Sequence, residues 1–394
     1  MPDISRDLRQ LRHALHNKAE LSGHEQHTAE FVVSYLREHS PDRTLTGIGG
    51  NGVAAIYKGS VDGPAILIRC ELDALPIPET VSLDYGSSTE NVAHKCGHDG
   101  HMTMVAGLAP LLAQKRPDRG TVILLFQPAE ETGQGAQAVI DDPAYVELSP
   151  DFVFALHNLP GFPLGAVIVR DGVFSSASTG LVIRLTGATS HAAEPEEGRS
   201  PALAVAALIN SISAAPQFVT ALHEAAKATI IHARVGEIAF GTSPGYGEVM
   251  ATLRAHDREV MERLSSHCID LAKRTAAAFD LDYEIEWVEP FPSAENDAAC
   301  VATIRDCAKA LDLPIIEPAE PFAWSEDFGN FTHNHPGALF GLGSGEDRPA
   351  LHNPDYDFPD ELIEYGLGLF GAIIGRRLGW YDDDFFRARL THNK

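Results

Sequence analysis

Five segments of the sequence carry Cys, His, Glu or Asp. Four of them follow apolar runs that have the length of buried strands, and the fifth precedes a helical pattern. Thiolate, imidazole and carboxylate groups are the ligands of borderline divalent metals such as Zn²⁺, Mn²⁺, Co²⁺ or Ni²⁺. Together they predict a metal site. The segments are Cys70-Glu-Leu-Asp-Ala-Leu-Pro76, His94-Lys-Cys-Gly-His-Asp-Gly-His101, Gln127-Pro-Ala-Glu-Glu131, His157-Asn158 and His352-Asn-Pro354.

Each segment taken alone also has a purely structural interpretation. Cys96 could pack as a small apolar residue, and His157 could be a hydrogen-bonded core histidine. His352 could belong to an ordinary loop. The adjacent carboxylates Glu130 and Glu131 are different, because two charges just past a buried strand are costly unless a positive group compensates them. The nearby sequence offers no Arg, and a metal ion would serve. The remaining cysteines lack ligand spacing and are interpreted as buried thiols.

The elements that would position these residues form an α/β pattern. Helical patterns at 6–37, 100–115, 298–311 and 361–378 alternate with short apolar runs, which are typical of strands buried on both faces of a sheet. In such folds ligands bind beyond the carboxyl ends of the strands, so the five segments should meet at one edge. We expect a mixed, mostly parallel sheet with helices on both faces. The runs are Val53–Tyr57, Ala65–Arg69, Thr121–Phe126, Phe152–Leu156 and Ala338–Leu342.

The middle third of the chain has a different rhythm. Its apolar pattern reads β-α-β-β-α-β, the order of a ferredoxin-like α+β unit. We therefore predict a catalytic domain made of residues 1–177 and 291–394, with a lid and dimerisation domain inserted at 178–290.

Composition restricts the function classes. The 394 residues carry a formal charge of −25, which disfavours nucleic-acid and anionic-membrane partners. No long uninterrupted apolar window and no secretory leader is recognisable, and five cysteines are an odd number for a disulfide framework. A cytoplasmic protein is expected.

The motifs resemble the M20 metallopeptidases, and within that family the amidohydrolase branch of bacterial aminoacylases, hippurate hydrolases and plant indoleacetyl-amino-acid hydrolases. The resemblance rests on His94–His101 and Gln127–Glu131, together with Ser190-His-Ala-Ala-Glu-Pro195 and Leu351-His-Asn-Pro354. His13–Leu21 and Ser325–Phe328 extend it over essentially the whole chain.

The resemblance implies two divalent metal ions per subunit, which could be Mn²⁺, Zn²⁺, Co²⁺ or Ni²⁺. Cys96 would be shared by both ions, in place of the bridging aspartate of the wider family. His98 and His157 would complete one site, and Glu131 and His352 the other.

The same resemblance assigns the other roles. Glu130 would be the general base and acid, and Asp73 would orient a ligand. His191, on the inserted domain, would stabilise the oxyanion from its own subunit or from the partner of a homodimer. Arg254 would bind the substrate carboxylate.

Two positions depart from this branch. Glu71 is longer by a methylene than the aspartate that is usual there. Gly241, 13 residues before Arg254, replaces an Asn that meets the substrate in many relatives. The second change puts the substrate class in question.

The sequence thus predicts a metal-dependent amidohydrolase that cleaves N-acyl amino acids or short peptides. A dipeptidase, a carboxypeptidase or a deacylase of another N-acyl amine is the alternative on the same scaffold. Two alternatives come from other classes of protein. A metal-free binding protein on this scaffold would not need all six of Cys96, His98, Glu130, Glu131, His157 and His352. A nucleophilic amidase using Cys96 and His98 would have a Cys-x-His spacing that is short for that geometry.

Overall fold

The structure is a computed structural model that describes residues 4–391. Its helices are α1 (Ile4–Asn17), α2 (Gln26–Arg37), α3 (His98–Ala106), α4 (Leu108–Gln114), α5 (Gly135–Asp141), α6 (Ala202–Val219), α7 (Arg258–Ala278), α8 (Ala298–Ala310), α9 (Gly329–Asn334), α10 (Leu362–Leu378) and α11 (Asp383–Thr391).

Its strands are β1 (Arg43–Ile48), β2 (Gly52–Lys58), β3 (Val61–Glu71), β4 (Arg119–Gln127), β5 (Phe152–Pro160), β6 (Val167–Ile168), β7 (Gly172–Ser175), β8 (Ala177–Thr186), β9 (Ser190–His191), β10 (Ala226–Val235), β11 (Thr242–Ser243), β12 (Tyr246–Ala255), β13 (Asp282–Phe291), β14 (Ala294–Asn296), β15 (Ile315–Ile316) and β16 (Gly337–Gly345).

The chain separates into two compact units. The first contains the described residues up to Phe174, Ala294–Pro321 and the described residues from Asp327 onward. The second contains Ser175–Ser293 and Phe322–Glu326.

The first unit is built on an eight-stranded sheet in the order β1-β2-β4-β3-β5-β16-β6-β15. Its centre is parallel, since β3 pairs in parallel with β4 and β5, and β5 with β16. The β1–β2 and β2–β4 pairs are antiparallel. Residues 66–68 and 122–126 are buried, as expected for strands covered on both faces. The prediction of a mixed, mostly parallel sheet is confirmed.

The second unit is an antiparallel sheet, in the order β10-β12-β8-β13, packed against α6 and α7. Its chain order β8-α6-β10-β12-α7-β13 is that of the ferredoxin-like pattern. Leu181, Leu208, Leu253 and Leu264 are buried in its core. Among the described helices, α6 is the one whose length and hydropathy alone would suit a membrane span. Leu208 lies on the face of α6 that packs into this core.

Two expected helices are each divided. The pattern at 6–37 forms α1 and α2, because Leu21 bridges to Ala74 and the Glu20 carboxylate accepts hydrogen bonds from the Thr28 amide and hydroxyl. The pattern at 100–115 forms α3 and α4. There Pro110 has no amide hydrogen to donate to the carbonyl four residues earlier, so the helix is interrupted near Gly107.

Candidate metal centre

A left-handed glycine shapes the segment that carries Cys96 and His98. Gly97 has φ +94°, and a Cβ at this position would lie 2.6 Å from Oδ1 of Asn158. Only glycine meets both demands at low cost. The turn lets the chain pass over Asn158 and begin α3 at His98, so that two potential ligands flank one residue.

The thiol of Cys96 is the point where potential ligands from three segments of the chain meet. Its Sγ lies 3.4 Å from Nε2 of His157, at the end of β5, and 3.4 Å from Nε2 of His352. Cys96, His98 and His157 offer ligand atoms within 4.8 Å of one another, and so do Cys96, Glu131 and His352. Cys96 therefore belongs to two adjacent donor groups.

The ring of His98 is held from one side and faces carboxylates on the other. Its Nδ1 lies 2.8 Å from the carbonyl oxygen of Asp73. Its buried Nε2 has no hydrogen-bond partner among the described residues, and lies 3.7 Å from Oε2 of Glu130 and 3.8 Å from Oε1 of Glu131. Burial lowers the pKa of His98, but the hydrogen bond to Asp73 and the charges of Glu71 and Glu131 raise it to about 10. An orphaned ring nitrogen among carboxylates fits a divalent cation.

Asp73 connects two of the proposed ligands. Its Oδ2 accepts hydrogen bonds from the backbone amide of Glu131, at 2.9 Å, and from the Ser22 hydroxyl, at 2.7 Å. Its Oδ1 lies 3.5 Å from Nδ1 of His98. Burial would raise the pKa of Asp73, but these hydrogen bonds and the His98 ring lower it. Asp73 stays charged and is placed to orient both neighbours.

The two glutamates leave β4 through a strained turn. Ala129 has φ +50°, in the left-handed region that disfavours residues other than glycine, and its amide donates to Oε1 of Glu25. The turn directs Glu130 and Glu131 toward His98. The side chain of Glu130 is 6% exposed and that of Glu131 11% exposed. Oε2 of Glu131 also lies 3.8 Å from Nε2 of His352.

His191 and Arg254 lie in the second unit. His191 is exposed in β9, which pairs with β11, and the Ala192 amide beside it donates to the carbonyl of Gly241 at 3.0 Å. Arg254, in β12, donates to the carbonyl of Ala323 at 3.0 Å and lies 3.2 Å from Oγ of Ser325. A Cβ at Gly241 would have no heavy atom within 4 Å.

A family model described as peptidase family M20/M25/M40 matches residues 67–376. The chain belongs to the M20 peptidase family. It is 31% identical, over 91% of its length and 85% of the relative, to an N-acetyl-L-cysteine deacetylase of Bacillus subtilis. It is 30% identical to a hippurate hydrolase of Campylobacter jejuni, over 94% of this chain and 96% of that one.

Among solved structures, this M20 protein is similar to a dinuclear metal-binding M20 peptidase of Bacillus subtilis. The TM-score is 0.80 and the identity 27%, over 95% of this chain and 98% of the other. The predictions of an M20 fold and of a hydrolase acting on amide bonds are confirmed by these relatives. The dinuclear relative and the two donor groups also support divalent metals in this M20 protein.

Sequence reasoning on this M20 protein missed a buried polar network beside the donor groups. It links Arg69 and Glu71 to His101 and Asn158. One signal was available, because an Arg and a Glu within the last residues of a buried strand need partners. Those partners are distant in sequence, so the pattern could not name them.

Proposed function

We propose that the protein is a metal-dependent amidohydrolase of N-acyl amino acids that holds two divalent ions per subunit. Cys96 would be shared, with His98 and His157 on one ion and Glu131 and His352 on the other. The observation that carries this proposal is the position of Cys96 in two adjacent donor groups, with Glu130 beside His98. Two ions held there would make a water molecule more acidic and polarise the amide carbonyl.

The residues of the chain would then handle the proton and the charge. Glu130 would take a proton from water as its oxygen adds to the amide carbon, and would deliver that proton to the nitrogen as the C–N bond breaks. His191 would donate a hydrogen bond to the oxyanion that develops on the carbonyl oxygen. The products are a carboxylate and a free amine.

Arg254 would bind the carboxylate of the amino-acid portion, since a guanidinium fork matches a carboxylate. The similarity to a deacetylase and a hippurate hydrolase supports this substrate class at about 30% identity. The choice of ion and the cytoplasmic location stay predictions of the sequence.

The test is a matched panel of N-acetyl and N-benzoyl amino acids, the amides of these same N-acyl amino acids, and dipeptides. Each substrate is also tested with chelated enzyme as a control. We expect release of free amino acid from the N-acyl amino acids, and none after chelation. Hydrolysis of the dipeptides alone would replace this proposal by a peptidase.

A deacylase of another N-acyl amine is the second candidate. Gly241 leaves open space where a side chain would stand, beside the backbone that carries His191. If the amides are cleaved as fast as the acids, this candidate is favoured.

A further inference from the structure

A line of buried polar side chains runs from the sheet to the donor groups. It begins at Arg69 on β3, whose side chain is fully buried. Nε of Arg69 donates to Oε1 of Gln127 at 2.8 Å, and its Nη2 donates to Oδ1 of Asp327 at 2.6 Å. Its Nη1 donates to Glu71, which is also fully buried. Two carboxylates thus hold one guanidinium in place.

Glu71 passes this contact on to His101. Its second oxygen, Oε2, lies 2.7 Å from Nδ1 of the His101 ring. Burial would raise the pKa of Glu71, but Arg69 and His101 lower it well below its usual range, so the carboxylate is charged. Nε2 of His101 lies 2.6 Å from Oδ1 of Asn158 and 3.2 Å from the backbone nitrogen of the same residue.

Asn158 contacts both segments that carry potential ligands of one ion. The backbone carbonyl oxygen of Asn158 lies 2.9 Å from Nδ1 of His157, so Nε2 of that ring faces Cys96. Its side chain lies under Gly97, between Cys96 and His98, and its Nδ2 donates to the Tyr356 hydroxyl at 2.5 Å. A displaced Asn158 would move His157 and the turn at Gly97 together.

Two other roles for this network have to be separated from positioning, and the first is a metal site formed by its own residues. Glu71, His98 and His101 lie close enough to hold an ion themselves. However, both ring nitrogens of His101 are already engaged by Glu71 and Asn158, and Nδ1 of His98 by Asp73. The second role is a buried ion pair that only stabilises the fold, and the experiment below separates it from a role in the site.

We propose that Glu71 and His101 are positioning residues, which act through Asn158 to hold His157 and the Cys96–His98 turn in the geometry that one divalent ion requires. This inference rests on the two-ion site of the proposed function, and adds residues that do not touch the ions. The extra methylene of Glu71 over aspartate is what we expect to carry the carboxylate from Arg69 to His101.

The test measures Co²⁺ binding to the metal-free protein, by competition with a chelating dye and by the cobalt–thiolate absorption of Cys96. We expect Glu71→Gln and His101→Gln each to weaken one of the two binding events by about 10–100-fold, the usual effect of removing a partner of a metal ligand. The cobalt–thiolate absorption of the more weakly bound ion should change as well. The control is Glu364→Gln, which removes a partly buried ion pair between Glu364 on α10 and Arg389 on α11.

Wild-type affinity for both ions in Glu71→Gln and His101→Gln would overturn the inference, as would an equal loss in the Glu364→Gln control. If neither variant folds, Glu71→Asp keeps the charge and shortens the reach. Weakened binding of one ion in Glu71→Asp supports positioning, and unchanged binding of both ions overturns it. A wild-type protein that binds two Co²⁺ ions but cleaves no N-acyl amino acid would contradict only the proposed function.

Discussion

At the scale of single residues, Glu130 and Glu131 are neighbours in sequence with different surroundings. Glu130 lies 3.7 Å from His98, whereas Glu131 lies 3.8 Å from both His98 and His352. The residue that lies between two imidazoles is the better candidate for a ligand. This difference supports the proposal that Glu131 is a ligand and Glu130 the general base.

The first prediction follows from this difference. Glu130→Gln removes a proton acceptor and no proposed metal contact, so the metal content should persist while kcat falls by about 10²–10⁴. Glu131→Gln should lose metal. Elemental analysis and single-substrate kinetics on both variants check this, and exchanged phenotypes would reverse the two roles.

The second prediction concerns Arg254. Arg254→Ala should raise KM strongly for N-acyl amino acids and leave the matching amides almost unchanged, because only the acids offer a carboxylate to the guanidinium. The control is Arg184→Ala, which removes a partly exposed arginine of the neighbouring strand β8 that is paired with Glu286. Equal losses on acids and amides would mean that Arg254 acts through its bonds to Ala323 and Ser325.

The sequence predicts those parts of the site whose residues lie next to a recognisable strand, and not the contacts between residues far apart in the chain. The segments of Asp73, Glu131 and His157 follow apolar runs directly, so their convergence follows from the sheet rule. Arg69 and Asp327 are 258 positions apart and meet only because the chain returns to the first unit. Neither propensity nor spacing encodes such a contact.

At the scale of elements, α1 is attached to the start of α3 by buried charges. Arg12 donates to Asp99 at 3.0 Å, and Nδ1 of His16 lies 2.8 Å from the same carboxylate. Nε2 of His16 lies 2.8 Å from Glu79, which also accepts from Lys95. These contacts hold the segment on either side of Cys96.

The third prediction is a pH dependence of stability. Burial lowers the pKa of His16, but Asp99 and Glu79 raise it to about 9, above its value of 6.5 in an unfolded chain. The charged ring therefore stabilises the fold fully below about pH 6.5, and this contribution, on the order of 3 kcal/mol, is lost as the pH rises through 9.

Thermal denaturation at pH 6 and pH 10 checks this prediction. The fall in Tm between the two should be smaller in His16→Gln than in the wild type. His27→Gln, an exposed substitution on α2, is the control. A His16→Gln variant with the full wild-type fall in Tm would show that other groups produce the dependence.

The helix pattern at 6–37 illustrates why elements were predicted better than their ends. The pattern on either side of residues 18–25 predicts one helix over 6–37. The break comes from Leu21 pairing with Ala74 and from the Glu20 carboxylate accepting a hydrogen bond from Thr28. The first of these contacts depends on a segment about 50 residues further along the same chain. In contrast, β3, β4 and β5 were predicted because continuous apolar runs need burial on both faces.

At the scale of the whole molecule, the second unit has an edge strand and exposed apolar side chains. Strand β10 is an edge of its sheet. Ile231 on this strand is 62% exposed, and Leu203 and Phe218 on α6 are 70% and 73% exposed. Unpaired strand edges and exposed apolar side chains favour association, so a homodimer through this unit remains our proposal.

The fourth prediction tests whether the two subunits share a site. Glu130→Ala and His191→Ala are each expected to be inactive, and they are mixed under conditions where subunit exchange is verified. If His191 serves the partner's metals, a mixed dimer has one site with both lesions and one intact site, so activity returns. Continued inactivity despite exchange would mean that His191 acts within its own subunit.

The most direct measurement for the central claim is a metal titration of the chelated protein, in which bound ion and hydrolysis of an N-acyl amino acid are recorded on the same sample. We predict no turnover without metal, and recovery with Mn²⁺, Co²⁺ or Zn²⁺ as the bound ion approaches two equivalents. Because the ligands must be deprotonated, recovery should weaken at acidic pH. Full activity with less than about half an equivalent of ion bound would contradict the two-ion account.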